Sequence, residues 1–215
     1  MKILCTSDTH FPFRWEHYNS KGNLLFPTWD EDTVFIHAGD LMYSGFPDEW
    51  YDRLRSLSRL PYKNKLFVPG NHDLFFEQFT GPCLQEMRQA GVHCLTPTGP
   101  THQIEGYIFG GCPFVTNLPN WAYNQTEEYI QSYLEAMGYV DVLICHSPPA
   151  GVLDEGYGVG AIRRYIKRFK PQVVICGHVH ERYGFQQVDR TRVYNVAMCD
   201  RDYVQENPAV LIEVN

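Results

Sequence analysis

The chain has 215 residues, a formal net charge of -7 and an apolar fraction of 44%. That balance suits a globular core and excludes a broad nucleic-acid surface, because backbone recognition depends on Lys and Arg neutralising phosphates. No stretch has the uninterrupted apolar length that crosses a bilayer, so no membrane span is expected. Seven cysteines at unpaired spacings read as reduced thiols, and the apolar start, Met1-Lys2-Ile3-Leu4-Cys5, is too short for a secretory leader. Both point to the cytoplasm. A single domain over residues 1–215 is expected, and the oligomeric state is left open.

Strand-like runs alternate with helical patterns, the signature of an α/β arrangement. A strand is expected at Lys2 to Thr6, leading into Asp8 and His10, and another at Thr33 to His37, leading into Ala38-Gly39-Asp40. A helix from Pro47 to about Leu60 follows, with Trp50, Leu54 and Leu57 on one face, and Pro61 ends it. Lys65 to Val68 reads as a strand before Pro69-Gly70-Asn71-His72-Asp73, and a helix around Leu84 to Ala90 stops at Gly91. Short strands are expected at Val92 to Leu95, His102 to Glu105 and Tyr107 to Gly110, with Glu105-Gly106 turning between the last two. Cys112 to Asn124 reads as a loop, and Thr126 to Met137 as a helix with Ile130, Leu134 and Met137 in one stripe. Val140 to Cys145 ends at His146, a glycine-rich loop runs from Pro148 to Gly160, and a helix closes near Lys170 before Pro171. Gln172 to Cys176 delivers Gly177-His178-Val179-His180, and strands at Gly184 to Val188, Arg192 to Val196 and Ala209 to Val214 complete the chain.

Nearly all of the side chains able to hold a metal follow a strand-type run: Asp8, His10, Asp40, Asn71, His146, His178 and His180. One sheet edge could gather them. Imidazole, carboxylate and amide ligands suit Mn, Fe, Zn or Ni, with Mn preferred here. Two such ions roughly 3.5–4 Å apart can clamp the attacking and leaving oxygens of a phosphoryl displacement and acidify a bridging water to hydroxide. Asp40 is the candidate bridge, since Gly39 beside it lets the backbone come close; Gly70 and Gly177 precede Asn71 and His178 in the same way. Two carboxylates against two dications leave the cluster positive, so an acidic protein can still hold a small anionic phosphate ester. His72 would project into the site without ligating, bonding a phosphoryl oxygen or protonating the departing alkoxide; its partner is left open, Asp73 being the nearest in sequence.

The ordered set Asp8-x-His10, Gly39-Asp40, Gly70-Asn71-His72-Asp73, His146 and Gly177-His178-x-His180 resembles the calcineurin-like metallophosphoesterase family over nearly the whole chain. The resemblance implies a four-layer αββα sandwich of two mixed sheets flanked by helices. It also implies that Asp8, His10, Asp40 and His180 bind one metal, that Asp40, Asn71, His146 and His178 bind the other, and that His72 and Asn71 meet the substrate. Ser7-Asp8-Thr9-His10, Trp121-Ala122-Tyr123-Asn124, His146-Ser147-Pro148-Pro149 and Gly177-His178-Val179-His180-Glu181-Arg182-Tyr183-Gly184 are similar to the small phosphodiesterase branch, whose substrates include cyclic nucleotides. Asp40 lacks the following Asp-Arg pair of the Ser/Thr phosphatases, and no ligand position is lost.

The expected activity is therefore phosphodiester hydrolysis by a metal-bridging hydroxide, with His72 and Asp40 catalytic. The alternatives are a phosphomonoesterase, a dinucleoside-polyphosphate hydrolase or a non-catalytic scaffold on the same fold. Phe11, Phe13, Trp121 and Tyr123 are expected near the metals, where a ring could stack on a nucleobase; Phe11 and Trp121 are the substrate candidates. His17, His37, His93 and His102 read as structural or surface residues, Cys145 as an inert thiol facing away from His146, and Arg163, Arg164, Lys167 and Arg168 as a solvated helix face. The glycines of the Pro148 to Gly160 loop fit either a mobile lid or a packed connection.

Overall fold

Alternation along short strands sends successive side chains to opposite faces, so each apolar run of this chain serves two cores at once. The computed structural model describes residues 1–13, 18–26 and 30–215; His17 lies outside them. The first half holds β1 (Lys2–Thr6), β2 (Val34–Ala38), α1 (Pro47–Ser58), β3 (Lys65–Val68), α2 (Leu74–Gln78), α3 (Thr80–Gln89) and β4 (Val92–Cys94). The second holds β5 (Thr101–Ile104), β6 (Tyr107–Cys112), α4 (Glu127–Met137), β7 (Val142–Cys145), α5 (Gly160–Phe169), β8 (Val173–Cys176), β9 (Gly184–Val188), β10 (Thr191–Asn195) and β11 (Val210–Glu213).

Two mixed sheets result, in the orders β11-β1-β2-β3-β4 and β5-β6-β7-β8-β10-β9. Strands β1 to β4 run parallel in the first, and β6, β7, β8 and β10 in the second, with antiparallel edges at β11, β5 and β9. Ile3, Cys5, Val34, Ile36, Leu66 and Val68 pack with Val142, Ile144, Val173 and Ile175 in one apolar layer between the sheets. The alternate residues Leu4, Phe35, Phe67, Leu143, Cys145 and Val174 face outward to the helices. This is the αββα sandwich, and Cys145 does occupy the face opposite the inter-sheet layer. Burial raises its thiol well above the usual range, as expected of an inert side chain.

The helices are anchored by what their sequences carry. Trp50 of α1 is fully buried, packs on Phe76 with ring centroids 5.5 Å apart, and donates its indole N–H to Glu86 over 2.6 Å. Thr126 caps α4 by accepting from the Tyr129 N–H. Arg164 and Arg168 of α5 pair with Glu127 and Glu135 of α4, so the basic run is a solvated, ion-paired face.

Several boundaries differ from expectation. The helix expected from Leu84 begins at Thr80 and is preceded by α2, whose Leu74-Phe75-Phe76 run has no amphipathic period of its own; Phe76 is buried against Phe67. The strand expected from Val140 starts at Val142. Glu105 and Gly106 take φ of 49° and 87°, the paired positive values of a two-residue hairpin. The segment after His146 is a packed connection: Val159 donates to Pro148 O and Ala150 to Val159 O, Val152 is buried, and Arg182 pairs with Glu155.

At β6 the second sheet comes close to the residue after β4. A Cβ on Gly111 would fall 2.4 Å from Leu95 Cβ. Gly111→Ala is therefore expected to cost about 1–3 kcal/mol of stability through overpacking. The check is a lower denaturant midpoint at unchanged m.

Candidate functional site

The two sheets present the carboxyl ends of their parallel strands to a common rim, which is where open α/β sheets gather their functional loops. Asp8 and His10 follow β1, Asp40 follows β2, Asn71 and His72 follow β3, His146 follows β7, and His178 and His180 follow β8. The loops turn sharply there. Asp8, His10, Asp40 and His178 take left-handed φ of 48°, 51°, 58° and 69°. Such conformations cost non-glycine residues about 1–3 kcal/mol each and persist only where the surroundings impose them. The imposing contacts run between the loops: Asp8 N–H donates to Gly39 O at 2.9 Å, His10 N–H to Asp40 O at 3.2 Å, and His178 N–H to the Asp8 carboxylate at 2.9 Å.

Glycine is required where these turns meet. A Cβ on Gly39 would lie 2.3 Å from His146 Nδ1, one on Gly70 2.4 Å from Asp40 Oδ1, and one on Gly177 2.1 Å from Asp8 Oδ2. The space a side chain would take is filled by a candidate ligand.

The imidazoles are oriented by the backbone. Nδ1 of His10, His146 and His180 lies 2.8, 3.0 and 2.8 Å from the carbonyl oxygens of Met42, Ala38 and Asp200. A carbonyl only accepts, so each Nδ1 carries the proton and Nε2 is turned inward. There His146 Nε2 meets Asp40 Oδ1 at 3.3 Å and Asn71 Oδ1 at 2.9 Å, while His180 Nε2 meets Asp8 Oδ1 at 3.4 Å and His10 Nε2 at 3.5 Å. Lone pair faces lone pair at both places unless positive charge stands between them, supplied by a proton on the ring or by a cation. Burial pushes both imidazoles down, but the Asp40 carboxylate beside His146 and the Asp8 carboxylate beside His180 outweigh it and raise each to about 9. Burial alone would raise the Asp40 carboxyl; His146 and then His72 hold it well below the usual range.

Asp8, His10 and His180 have ligand atoms within 4.8 Å of one another, as do Asp40, His146 and His178, and so do His10, Asp40 and His72. Asp40 thus reaches both ends of the cluster. Imidazole nitrogen, carboxylate and amide oxygen are a donor set that fits divalent transition metals.

The partner of His72, left open by the sequence, is a backbone carbonyl. Its Nδ1 lies 2.5 Å from Tyr43 O, its backbone N–H donates to Asp40 Oδ1 at 2.8 Å, and its Nε2 stands 3.9 Å from Asp40 Oδ2. Asp73 is not its partner. The buried Asp73 carboxylate accepts instead from the N–H groups of Gly70, Met42 and Asp40, at 2.7, 3.0 and 3.1 Å, tying the loop after β3 to the loop after β2.

A cavity of about 290 Å³ opens over this cluster, bordered by Asp40, Asn71, His72, His178 and His180. Trp121 also borders it, 39% exposed, with its ring 4.3 Å from that of His72. Phe11 reaches the site only indirectly, stacked on Tyr43 at 5.9 Å. Phe13 and Tyr123 are not at the site at all: Phe13 packs on Phe26 and Phe35, and the Tyr123 side chain is buried in the same core. Both rings join the apolar core because burying their large aromatic area outweighs keeping them at the rim. His37 is buried, with Nε2 2.9 Å from Thr9 Oγ1, and His93 stacks on His102 away from the cluster.

Sequence reasoning missed several contributors. Tyr203, Arg201, Glu181 and Leu118 border the cavity, and the Tyr203 ring lies 4.9 Å from that of His10 and 5.0 Å from that of His180. Arg53, buried in α1, donates two hydrogen bonds to His10 O at 2.9 and 3.2 Å. Arg53 sits at helical spacing from Trp50 and Leu57, and a charged residue on that apolar stripe was the available signal.

A model of the calcineurin-like phosphoesterases matches residues 1–182. The chain belongs to the calcineurin-like phosphoesterase family. Its curated relatives include a UPF0046 protein of Caenorhabditis elegans, 29% identical across 98% of this chain and 74% of its own length. They also include the human metallophosphoesterase domain-containing protein 1, 26% identical across 99% of this chain and 71% of its own. The fold is shared with the phosphopantetheinyl hydrolase of Mycobacterium tuberculosis, with a TM-score of 0.64 and 16% identity, over 97% of this chain and 95% of that one. A metallophosphoesterase of this family is a phosphoric ester hydrolase that uses divalent metals, and among the described residues no helix is long and apolar enough to cross a membrane.

The glycine contacts give a direct test. Gly70→Ala is expected to displace Asp40 and to reduce divalent-cation uptake by the folded protein, measured by metal analysis after dialysis alongside circular dichroism. Unchanged uptake would separate Gly70 from the centre.

Proposed function

We propose that this chain is a dinuclear metal-dependent phosphodiesterase acting on cyclic nucleotides or related small phosphodiesters. The observation that carries the reading is Asp40 standing within reach of both imidazole groups while His72 turns its Nε2 toward the same cavity. Asp8, His10, Asp40 and His180 would hold one cation, and Asp40, Asn71, His146 and His178 the other, with Mn first among Mn, Fe, Zn and Ni. When bound, the pair supplies an acidified water as nucleophile and offsets negative charge at phosphorus. The sequence leads with a single domain and a cytoplasmic setting, and we carry both forward as part of the proposal.

The chain's own residues supply the rest. Tyr43 O fixes the His72 ring through Nδ1, so protonated His72 presents Nε2–H to the cavity. As the P–O ester bond breaks, that proton passes to the leaving alkoxide and His72 is left neutral. Asn71, whose side chain borders the same cavity, can orient a phosphoryl oxygen. Trp121, beside His72, offers an apolar face to the ester substituent. That face would cover the organic part of the leaving group, and the preference for a diester rests on the motifs similar to the small phosphodiesterase branch.

Paired chromogenic substrates test this. With Mn, bis-p-nitrophenyl phosphate is expected to turn over faster than p-nitrophenyl phosphate, and a panel of cyclic mononucleotides and dinucleotides should contain the preferred substrate; monoester preference would overturn the diester assignment. His72→Ala is expected to lower kcat by about 10²–10⁴. Chelation should abolish turnover and Mn should restore it, whereas Asp40→Ala should not recover on reloading.

A further inference from the structure

A second cavity, of about 210 Å³, lies where the edge strands of the two sheets come together, and it shares no lining residue with the first. Lys65 at the start of β3, Arg88 in the last turn of α3, His93 on β4 and His102 on β5 border it, and no carboxylate does. In a chain of net charge -7, that concentration of basic groups is not matched by nearby acid. Lys63 also borders the cavity but is engaged by Glu31 and Asp32, at 3.1 and 2.8 Å.

Lys65 is 7% exposed, and its ammonium makes one hydrogen bond, to Leu60 O at 3.3 Å. That contact engages one of the three N–H donors of the ammonium. Among the described residues, neither Lys65 nor Arg88 has a carboxylate partner. The His93 and His102 rings stack at 3.8 Å with 24° between planes, bringing two more nitrogen-bearing rings to the same rim. A buried ammonium without counter-charge is costly unless an anion completes it, and the exposed Arg88 guanidinium beside it is free to close on that anion.

We infer that this cavity is an anion site for a phosphate group, held by Lys65, Arg88 and the stacked His93–His102 pair. The size favours a small group: about 210 Å³ holds several waters at ~30 Å³ each, yet is below the ~300 Å³ at which pockets for drug-sized ligands begin. Arg88 provides a planar fork matched to phosphate oxygens, and Lys65 a point charge from below. The site lies at the opening end of β3, whose closing end leads to Asn71, so it is separate from the proposed catalytic cluster.

The test is local and independent of hydrolysis. Inorganic phosphate is titrated into the protein while the imidazole resonances of His93 and His102, assigned with His93→Gln and His102→Gln, are followed by NMR. Saturable shifts of those resonances are expected, and Arg88→Gln, at an exposed position, should weaken the response about tenfold or more. Lys65→Gln should do likewise if it folds, but the inference stands or falls on Arg88. Glycerol phosphate forms a second arm: tighter binding of it identifies a phosphate monoester as ligand, tighter binding of inorganic phosphate the free ion, and either upholds the site. Shifts confined to the other histidines, or an Arg88→Gln response equal to the parent, would overturn it.

Discussion

The rim of the two sheets is organised around a demand for positive charge. Imidazole nitrogens committed to backbone carbonyls on one side face carboxylate and amide oxygens on the other, and neither arrangement relaxes without the other letting go. Each Nδ1–H bond fixes a tautomer as well as a ring position, so the inward lone pairs are a property of the backbone path. The carbonyls of Ala38 and Met42 come from the end of β2 and its loop and that of Asp200 from the segment after β10, while the imidazoles they hold follow β1, β7 and β8, so the cluster depends on both sheets being assembled. Positive charge between the two rows, from ring protons or from bound cations, lets the facing lone pairs coexist, and cation binding would supply free energy that helps hold the strained loops.

The support beneath the cluster follows the same logic. Asp73 has three backbone donors and no cation of its own, so it acts as a clamp across two loops, and its burial beside Asp40 is tolerated because those donors surround it. Arg53 holds the carbonyl of His10 from the helical layer, and Gln205 reaches Thr9 O from near the end of the chain. These contacts join the outer helix, both sheets and the final loop to a few backbone atoms. The apolar layer between the sheets makes that possible, since its close packing sets the spacing between the two rows of loops.

The two cavities show how one fold can separate two kinds of charge. At the carboxyl ends of the strands, acids and imidazoles converge and call for cations. At the opposite ends of β3 and β4, basic groups converge and call for an anion. Both sets draw on both sheets, and β3 serves each of them, with Lys65 at its start and Asn71 and His72 beyond its end.

How far the sequence could be read depended on whether the signal was local. Strands β1 and β3 and the turn at Glu105-Gly106 agree with the expectations, because period, glycine and β-branched content are properties of neighbours along the chain. The order of the candidate ligands was legible because nearly all follow a strand-type run and Asp40, Asn71 and His178 also stand beside glycine. The pairing of His72 with Tyr43 was not, nor was the burial of Phe13 and Tyr123, nor the arrival of Tyr203 over His10, since those contacts join residues whose neighbours carry no mark of the meeting. By itself the sequence determined the family, the alternation of strand and helix, and the types of donor atom available. Tertiary structure alone decided which nitrogen of each imidazole faces inward and which rings border the cavity, because both are set by carbonyls and side chains brought together only when the two sheets close on one another.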